Sequence, residues 1–234
     1  MTRKKEKLAI VIPAYNEEET IGETLEDVNK NFKKADVFVV NDGSKDKTKE
    51  IALEKGAVVL THIQNRGLGA SLATGLLAAV KHGADYIVTF DADLQHTGKD
   101  VEKLLKPIKK GEADATIGSR FLRTEDLEMM PFLQVFGNKV LTTATNILSG
   151  TKVTDSQSGL RAFSREAAEE ILILCDKYEV SSEIVHELAK HDMKVKEIPI
   201  KARYDERSLR KGTNVREGIK ILIGIILKKL GLKK

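Results

Sequence analysis

The feature that most constrains the fold is an alternation. Short apolar runs at residues 8–12, 37–40, 57–60, 86–90 and 113–117 are separated by stretches with helical spacing. Ile21, Leu25, Val28 and Phe32 recur on one helical face, and so do Leu68, Leu72, Leu76 and Val80. Further helices are predicted over 46–55, closed by Gly56, and over 98–110. A continuous apolar run of four or five residues is the pattern of a strand buried on both faces. Strand and helix in turn, with short links, predict an α/β fold with a mostly parallel sheet and helices on both faces. Thr20 and Glu23 have capping-box spacing at the start of the first helix.

Beyond about residue 120 the rhythm changes. Helices are predicted over 131–148, 165–174 and 181–191, and strands over 160–164 and 194–200. Residues 203–214 are polar and basic with little periodicity, as expected of a mobile loop. From 215 to 230, Ile219, Leu222, Ile223, Ile226, Leu227 and Leu230 form an apolar stripe. The expected organisation is one domain over 1–202 with a break near 120, a basic loop over 203–214, and an amphipathic helix within 215–234.

Composition narrows the function. The 234 residues are long enough for one sizeable core, and 41% apolar with 32% charged residues excludes a disordered chain. There is no Trp, which argues against an aromatic-lined sugar-stacking groove. The net charge is +4, much of it in the last seven residues, and the basic residues do not interleave with aromatics, so nucleic acid is not an expected partner. The single cysteine, Cys175, excludes an intramolecular disulfide and is read as a core residue of a helix. No apolar signal segment precedes the first strand, so the expected location is cytoplasmic.

In such sheets ligands bind beyond the carboxyl ends of the parallel strands. Each strand is followed by a polar tip: Pro13 to Glu18, Asn41 to Ser44, His62 to Gly69, Asp91 to His96, and Gly118 to Arg120. Loops on one rim of a rigid sheet converge, so these five tips describe a site. Asp91 and Asp93, two apart in extended chain, reach the same small volume. Carboxylates that close repel unless one takes a proton or a cation sits between them. Oxygen ligands favour Mg²⁺ or Mn²⁺, with Gln95 as a further neutral oxygen. The alternative is an Asp-rich turn capping the helix that starts near Gly98. Asp42 suits hydrogen bonding to a base or ribose, or else makes a simple Asx turn. The P-loop pattern is absent, and Gly67 and Gly69 lack the third glycine of a dinucleotide fingerprint, Leu72 standing there.

Together these tips resemble the motifs of family 2 glycosyltransferases, and more closely those of the dolichol-phosphate mannose or glucose synthase branch. The stretches are Pro13 to Glu18, Asn41 to Asp46, Asn65 to Ala70, Asp91 to His96, and Gly118 to Arg120, matching in order and spacing over roughly residues 8–165. The resemblance implies a GT-A nucleotide-sugar-binding fold, with a donor half to about 120 and an acceptor half over 121–202. It implies that Pro13, Ala14, Tyr15, Glu17 and Asp42 contact the nucleoside, and that Asp91, Ala92, Asp93 and Gln95 bind the metal and donor diphosphate. Arg120 would face the diphosphate or the acceptor phosphate. The stretch Asp155 to Arg161 resembles the family's Gly-aromatic-Arg segment near the acceptor, with Leu160 replacing the aromatic, so Arg161 is a further phosphate-binding residue. Asn41 stands where many members have a second Asp. Arg210 and Lys211 resemble a basic loop folding over the diphosphate; the alternative is a solvated charge run. Glu183 reads as a surface or capping carboxylate, and Glu125, Asp126 and Glu128 as solvated loop residues.

The implied reaction is inverting, metal-dependent glycosyl transfer from a nucleotide-sugar such as GDP-mannose or UDP-glucose to a polyprenyl phosphate. The cation and Arg120 would stabilise the leaving diphosphate. A phosphate acceptor is already anionic; a saccharide acceptor would need a carboxylate base, for which Asp155 is the candidate. A non-catalytic nucleotide-sugar-binding module is the reading from another class, and the intact Asp91, Asp93, Gln95 and Arg120 set argues against it. The apolar run 221–227 is far short of the roughly 20 residues that span a bilayer. Its flanking lysines suit a helix lying on an anionic membrane face, which would make the protein peripheral. Packing on the domain, or on a second subunit in a homo-oligomer, is the alternative.

Overall fold

The structure is a computed structural model and describes residues 6–123, 130–176 and 179–203. Seven strands form one sheet: β1 (Leu8–Ala14), β2 (Asp36–Asn41), β3 (Val58–Thr61), β4 (Tyr86–Thr89), β5 (Ala115–Ser119), β6 (Arg161–Ser164) and β7 (Val195–Pro199). Their spatial order is β3-β2-β1-β4-β6-β5-β7. β1 to β4 are mutually parallel, β5 pairs in parallel with β7, and β6 runs antiparallel to both β4 and β5. Two reversals restore direction, so the carboxyl ends of β1, β2, β3, β4 and β5 share one rim. The amino end of β6 opens onto the same rim.

The helices are α1 (Ile21–Asn31), α2 (Thr48–Glu54), α3 (Leu68–Lys81), α4 (Gly98–Lys109), α5 (Phe132–Ser149), α6 (Arg165–Glu170) and α7 (Val180–Lys190). They cover both faces, which is why the strands are apolar without alternation. Ile10 and Ile12 pack with Ile21, Leu25 and Leu104 on one face; Ala9 and Val11 pack with Leu72, Leu76 and Ile184 on the other. α3 lies close on β1 because position 75 is glycine: a Cβ there would overlap Val11 Cγ1 and stand 3.2 Å from Val40 Cγ2.

Three local expectations are corrected. Thr20 makes no capping box. Its hydroxyl donates to Glu17 Oε2 at 2.9 Å, and the amides of Thr20 and Ile21 donate to the Glu17 carbonyl, so a turn at Glu17 serves the helix start. The helix predicted over 165–174 stops at Glu170. Beyond it Ile171 and Ile173 turn inward while Leu172 and Leu174 are exposed, the two-residue period of extended chain. Cys175 is therefore not helical. Glu183, expected at the surface, is buried, and its carboxylate accepts the amides of Leu174 and Cys175 at 3.1 and 2.9 Å. That tertiary anchor holds the segment off helical geometry. Arg210 and Lys211, the loop 203–214 beyond Arg203, the helix expected within 215–234, and Glu125, Asp126 and Glu128 lie outside the described residues.

Candidate active site

The first two tips are stitched together. The Asn16 amide donates to Ser44 Oγ at 3.0 Å, the Lys45 amide to Asn16 Oδ1 at 2.9 Å, and the Glu17 amide to Thr48 Oγ1 at 2.8 Å. Pro13 and Ala14 end β1 against Val40 and Asn41. Tyr15 stands exposed beside them. Asp42 is buried and fastens the third tip: its carboxylate accepts the amides of Arg66 and Gly67 at 2.9 and 2.7 Å and pairs with His62 Nδ1 at 2.7 Å. Gly43, with φ +70°, lets that tip approach, since a Cβ would stand 2.6 Å from the Gln64 carbonyl carbon. The amides of Gly69 and Ala70 donate to the Asp176 carbonyl. The amides of Gly67, Gly69 and Ala70 at the start of α3 thus serve the fold, in keeping with the missing dinucleotide fingerprint.

The fourth tip carries the two carboxylates. Neither caps α4: the Gly98 amide donates to Asp27, and Thr97, the residue before the helix, bonds Asp100. Asp93 accepts the Gln95 amide at 3.1 Å across a turn in which Leu94 has φ +65°. Asp91 faces His96, whose Nε2 lies 3.3 Å from Asp91 Oδ2. It also lies against the backbone of Gly159, leaving no room for a Cβ there. The β6 return makes that contact, because Arg161 pairs in register with Thr89 and Thr89 Oγ1 donates to the Gly159 carbonyl at 2.7 Å. The Ala92 carbonyl accepts from Thr24, which pins the tip to α1.

At the fifth tip Arg120 and Asp155 form a buried two-pronged pair, Nε to Oδ2 at 2.7 Å and Nη2 to Oδ1 at 2.9 Å. Glu197 on β7 accepts the Asp155 amide at 3.0 Å and holds Thr154. Arg161 is fully buried, with Nη2 donating to the Ser156 carbonyl at 3.0 Å. After β7 the chain returns to the fourth tip, where the Arg203 amide donates to the Gln95 carbonyl at 2.9 Å. The basic stretch expected from 203 therefore starts beside Gln95.

The electrostatics separate the two carboxylates. Burial opposes ionisation of Asp91, but the His96 contact and the charges of His96, Arg161 and Arg120 outweigh it and hold its pKa below the ordinary value. Burial first, and then the neighbouring charge of Asp91, push Asp93 up to about 6. Asp155 is likewise buried yet held low by Arg120. Burial lowers Arg161 to about 10, with Asp91 and Asp155 opposing the fall, so it stays charged at neutral pH. A carboxyl raised by a neighbouring carboxylate marks a place that favours a cation.

The donor set fits a hard divalent ion shared with a substrate. Among the described residues no three His, Cys, Asp or Glu side chains cluster as a closed metal site. Asp91 and Asp93 are two carboxylates on one strand tip with Gln95 two residues on, oxygen ligands of the kind that Mg²⁺ takes one or two at a time beside waters and substrate phosphates. Among the described residues four buried side-chain polar atoms have no partner, and three of them, His96 Nδ1, Ser158 Oγ and Arg161 Nε, belong to the two segments that meet at Asp91. The sequence places His96 at the end of the fourth tip and Gly159 in the segment that resembles Gly-aromatic-Arg, without a role for either; the structure sets both against Asp91.

Comparison with known proteins identifies the family and the fold. The profile described as Glycosyl transferase family 2 matches residues 9–172. An uncharacterised protein of Methanocaldococcus jannaschii, MJ1222, is 48% identical over 97% of this chain and 93% of its own length. A UDP-N-acetylglucosamine–dolichyl-phosphate N-acetylglucosaminyltransferase of Methanococcus voltae is 36% identical over 95% of this chain and 96% of its own. The glucosyl-3-phosphoglycerate synthase of Mycobacterium tuberculosis, solved with Mn²⁺, UDP and glucosyl-3-phosphoglycerate, superposes with a TM-score of 0.72 at 22% identity, covering 98% of this chain and 81% of that one. At that identity the likeness is one of fold, and the fold is GT-A. With its profile match, and with a relative 36% identical over 95% of its length, the chain belongs to glycosyl transferase family 2 and is a glycosyltransferase.

Proposed function

We propose that the enzyme transfers a hexose or N-acetylhexosamine, with inversion, from a nucleotide-diphospho-sugar to a polyprenyl phosphate of the dolichyl type. The observation that carries the acceptor class is the Arg120–Asp155 pair. A sugar hydroxyl must lose its proton as it attacks, so it needs a carboxylate base. Asp155, the acceptor-side carboxylate, is buried and held at both oxygens by Arg120. An acceptor that arrives as an anion needs no such base, only positive charge. The name of the Methanococcus voltae relative supports the same acceptor class and a uridine donor. UDP-N-acetylglucosamine therefore joins UDP-glucose and GDP-mannose as a donor to be tested.

In this reading Pro13, Ala14, Tyr15, Glu17 and the Asp42-anchored tip form the nucleoside wall. Asp91, Asp93 and Gln95 hold Mg²⁺ or Mn²⁺, which when bound places positive charge against the donor diphosphate. His96 first, and the buried charge of Arg161 after it, keep the Asp91 carboxylate ionised. Asp155 orients Arg120 so that its guanidinium stands where the acceptor phosphate and leaving diphosphate come together. Both arginines are charged before the substrates arrive, so little reorganisation is needed as the bond to the anomeric carbon breaks. Arg210 and Lys211 would add charge over the diphosphate. The donor side is assigned to residues up to about 120 and the acceptor side to 121–202.

Calorimetry with UDP-N-acetylglucosamine, UDP-glucose and GDP-mannose, with and without Mn²⁺, names the donor. Radiolabelled transfer to polyprenyl phosphate, to polyprenol and to free saccharides names the acceptor. Transfer to the phosphate alone is expected. Transfer to a saccharide hydroxyl would replace this reading with the saccharide-acceptor variant, and metal-dependent binding without any turnover would replace it with a binding module.

A further inference from the structure

A guanidinium stabilises developing charge only where it is held, and the hold on Arg120 does not end at Asp155. That carboxylate accepts the Arg120 backbone amide at 3.1 Å as well as Nε and Nη2. Asp155 itself stands on an irregular stretch between α5 and β6. A carboxylate from the edge strand of the sheet fixes that stretch. Glu197 on β7, in register with Ile117 of β5, accepts the amide and the hydroxyl of Thr154, each at 2.8 Å, and the amide of Asp155 at 3.0 Å. A carboxylate only accepts, so the Thr154 hydroxyl spends its proton there. Ser119 Oγ, 2.6 Å from Thr154 Oγ1, then donates to Thr154 and accepts the Phe121 amide at 3.2 Å. Glu197 thus sets the direction of a string of hydrogen bonds that ends on Ser119 and Phe121, the sequence neighbours of Arg120.

The surroundings of Glu197 do not call for a charge. Val153, Val185, Leu188 and Val195 line the same hollow, and Val195, two residues earlier on the same face of β7, packs on the core. An apolar residue at 197 would continue that wall. The carboxylate is accounted for by the donors of Thr154 and Asp155 that it gathers. We infer that Glu197 is a positioning residue for the transfer reaction: through Thr154 and Asp155 it fixes where the Arg120 guanidinium stands. A catalytic group misplaced by about 1 Å can cost a hundredfold in rate, so a support this far from the chemistry is felt in turnover. The inference deepens the proposed function and rests on it for the part that Arg120 plays; the link from Glu197 to Arg120 rests on the hydrogen bonds alone.

The test uses the full chain and two variants. Glu197→Leu continues the apolar wall and removes every acceptor. Glu197→Gln keeps one oxygen, and a single oxygen, Oε1, receives all three donors in the structure. The first readout is the Arg120 Nε–H resonance of isotope-labelled protein, assigned by its loss in Arg120→Lys. Bonded to Asp155 at 2.7 Å, this proton should exchange slowly with water. Its exchange is expected to be about tenfold faster in Glu197→Leu and near wild type in Glu197→Gln. The second readout is transfer to polyprenyl phosphate. Glu197→Leu should lose about tenfold in kcat, with metal-dependent donor affinity held, and Glu197→Gln should recover most of the loss. An Arg120 resonance unchanged in Glu197→Leu would overturn the inference. So would a donor affinity that falls as far as kcat, or a Gln variant as impaired as the Leu variant, since either marks a general loosening of the rim. If the wild type transfers to no polyprenyl phosphate, the functional reading fails, while the Arg120 resonance still decides whether Glu197 sets its position.

Discussion

At the scale of single residues the site depends on contacts that leave no slack. Gly159 is the clearest case. A Cβ at that position would occupy the space of the Asp91 carboxylate, the movable end of a flexible side chain. Gly159→Ala should therefore swing Asp91 aside and leave the fold intact. We expect a melting temperature within a few degrees of wild type and a loss of about tenfold or more in metal-dependent donor affinity by calorimetry. Asp93 supplies a pH signature. Its folded pKa of about 6 lies above the ordinary 3.8, so in the metal-free protein its contribution to stability is full below 3.8 and is lost as pH rises through about 6. The loss is on the order of 3 kcal/mol. Asp91 and Asp155, held low, work the other way: their contribution is present above 3.8 and lost as pH falls. Denaturant melts of wild type against Asp93→Asn at either end of that window isolate the Asp93 contribution, which the variant should lack. If Asp93 holds Mn²⁺ as proposed, the ion would displace its proton, and Mn²⁺ affinity should fall about tenfold per unit below pH 6.

At the scale of elements, legibility followed how local each cause is. β1 and β2 could be read because both faces are covered, which makes every residue from Ala9 to Ile12 apolar. The rim tips could be read because polar loops after apolar strands are a local pattern. Thr20 and residues 171–174 could not, because their partners are distant in sequence or compete for the same amides. Ile171 to Leu174 suits either period, and the Glu183 carboxylate decides for extended chain. The same holds at the site: Asp91, Asp93 and His96 belong to one tip, whereas Gly159 meets Asp91 only once β6 has paired with β4. Glu183 gives the element-scale prediction. Glu183→Ala strands two amides of a partly buried segment and should cost about 2–4 kcal/mol in urea unfolding. Glu183→Gln, which keeps an acceptor, should cost less. A variant with wild-type stability would mean that the segment 171–176 finds other partners and that Glu183 does not set its course.

At the scale of the whole molecule the sheet interlocks what the sequence orders separately. β5 precedes α5 and β6 in the chain, yet β6 lies between β4 and β5, and β7 closes the far edge against β5. A donor half ending near 120 would carry β5 away from both of its sheet partners, so the two sides of the site are not separable folding units. Asp91 follows β4, while Gly159 packs against its carboxylate and the charges of Arg161 and Arg120 act on it from later in the chain. Unfolding should accordingly be one calorimetric transition, with equal calorimetric and van't Hoff enthalpies. A ligand bound at the shared rim must then stabilise the entire molecule. Donor with Mn²⁺ at a hundred times its dissociation constant should add about 2.7 kcal/mol to the global unfolding free energy. Donor without metal should add far less, and Asp93→Ala should add nothing with either. Two transitions, with only the earlier one moved by donor and metal, would mean that the nucleotide-sugar site is complete within the first half and that β6 and β7 support it only at a distance.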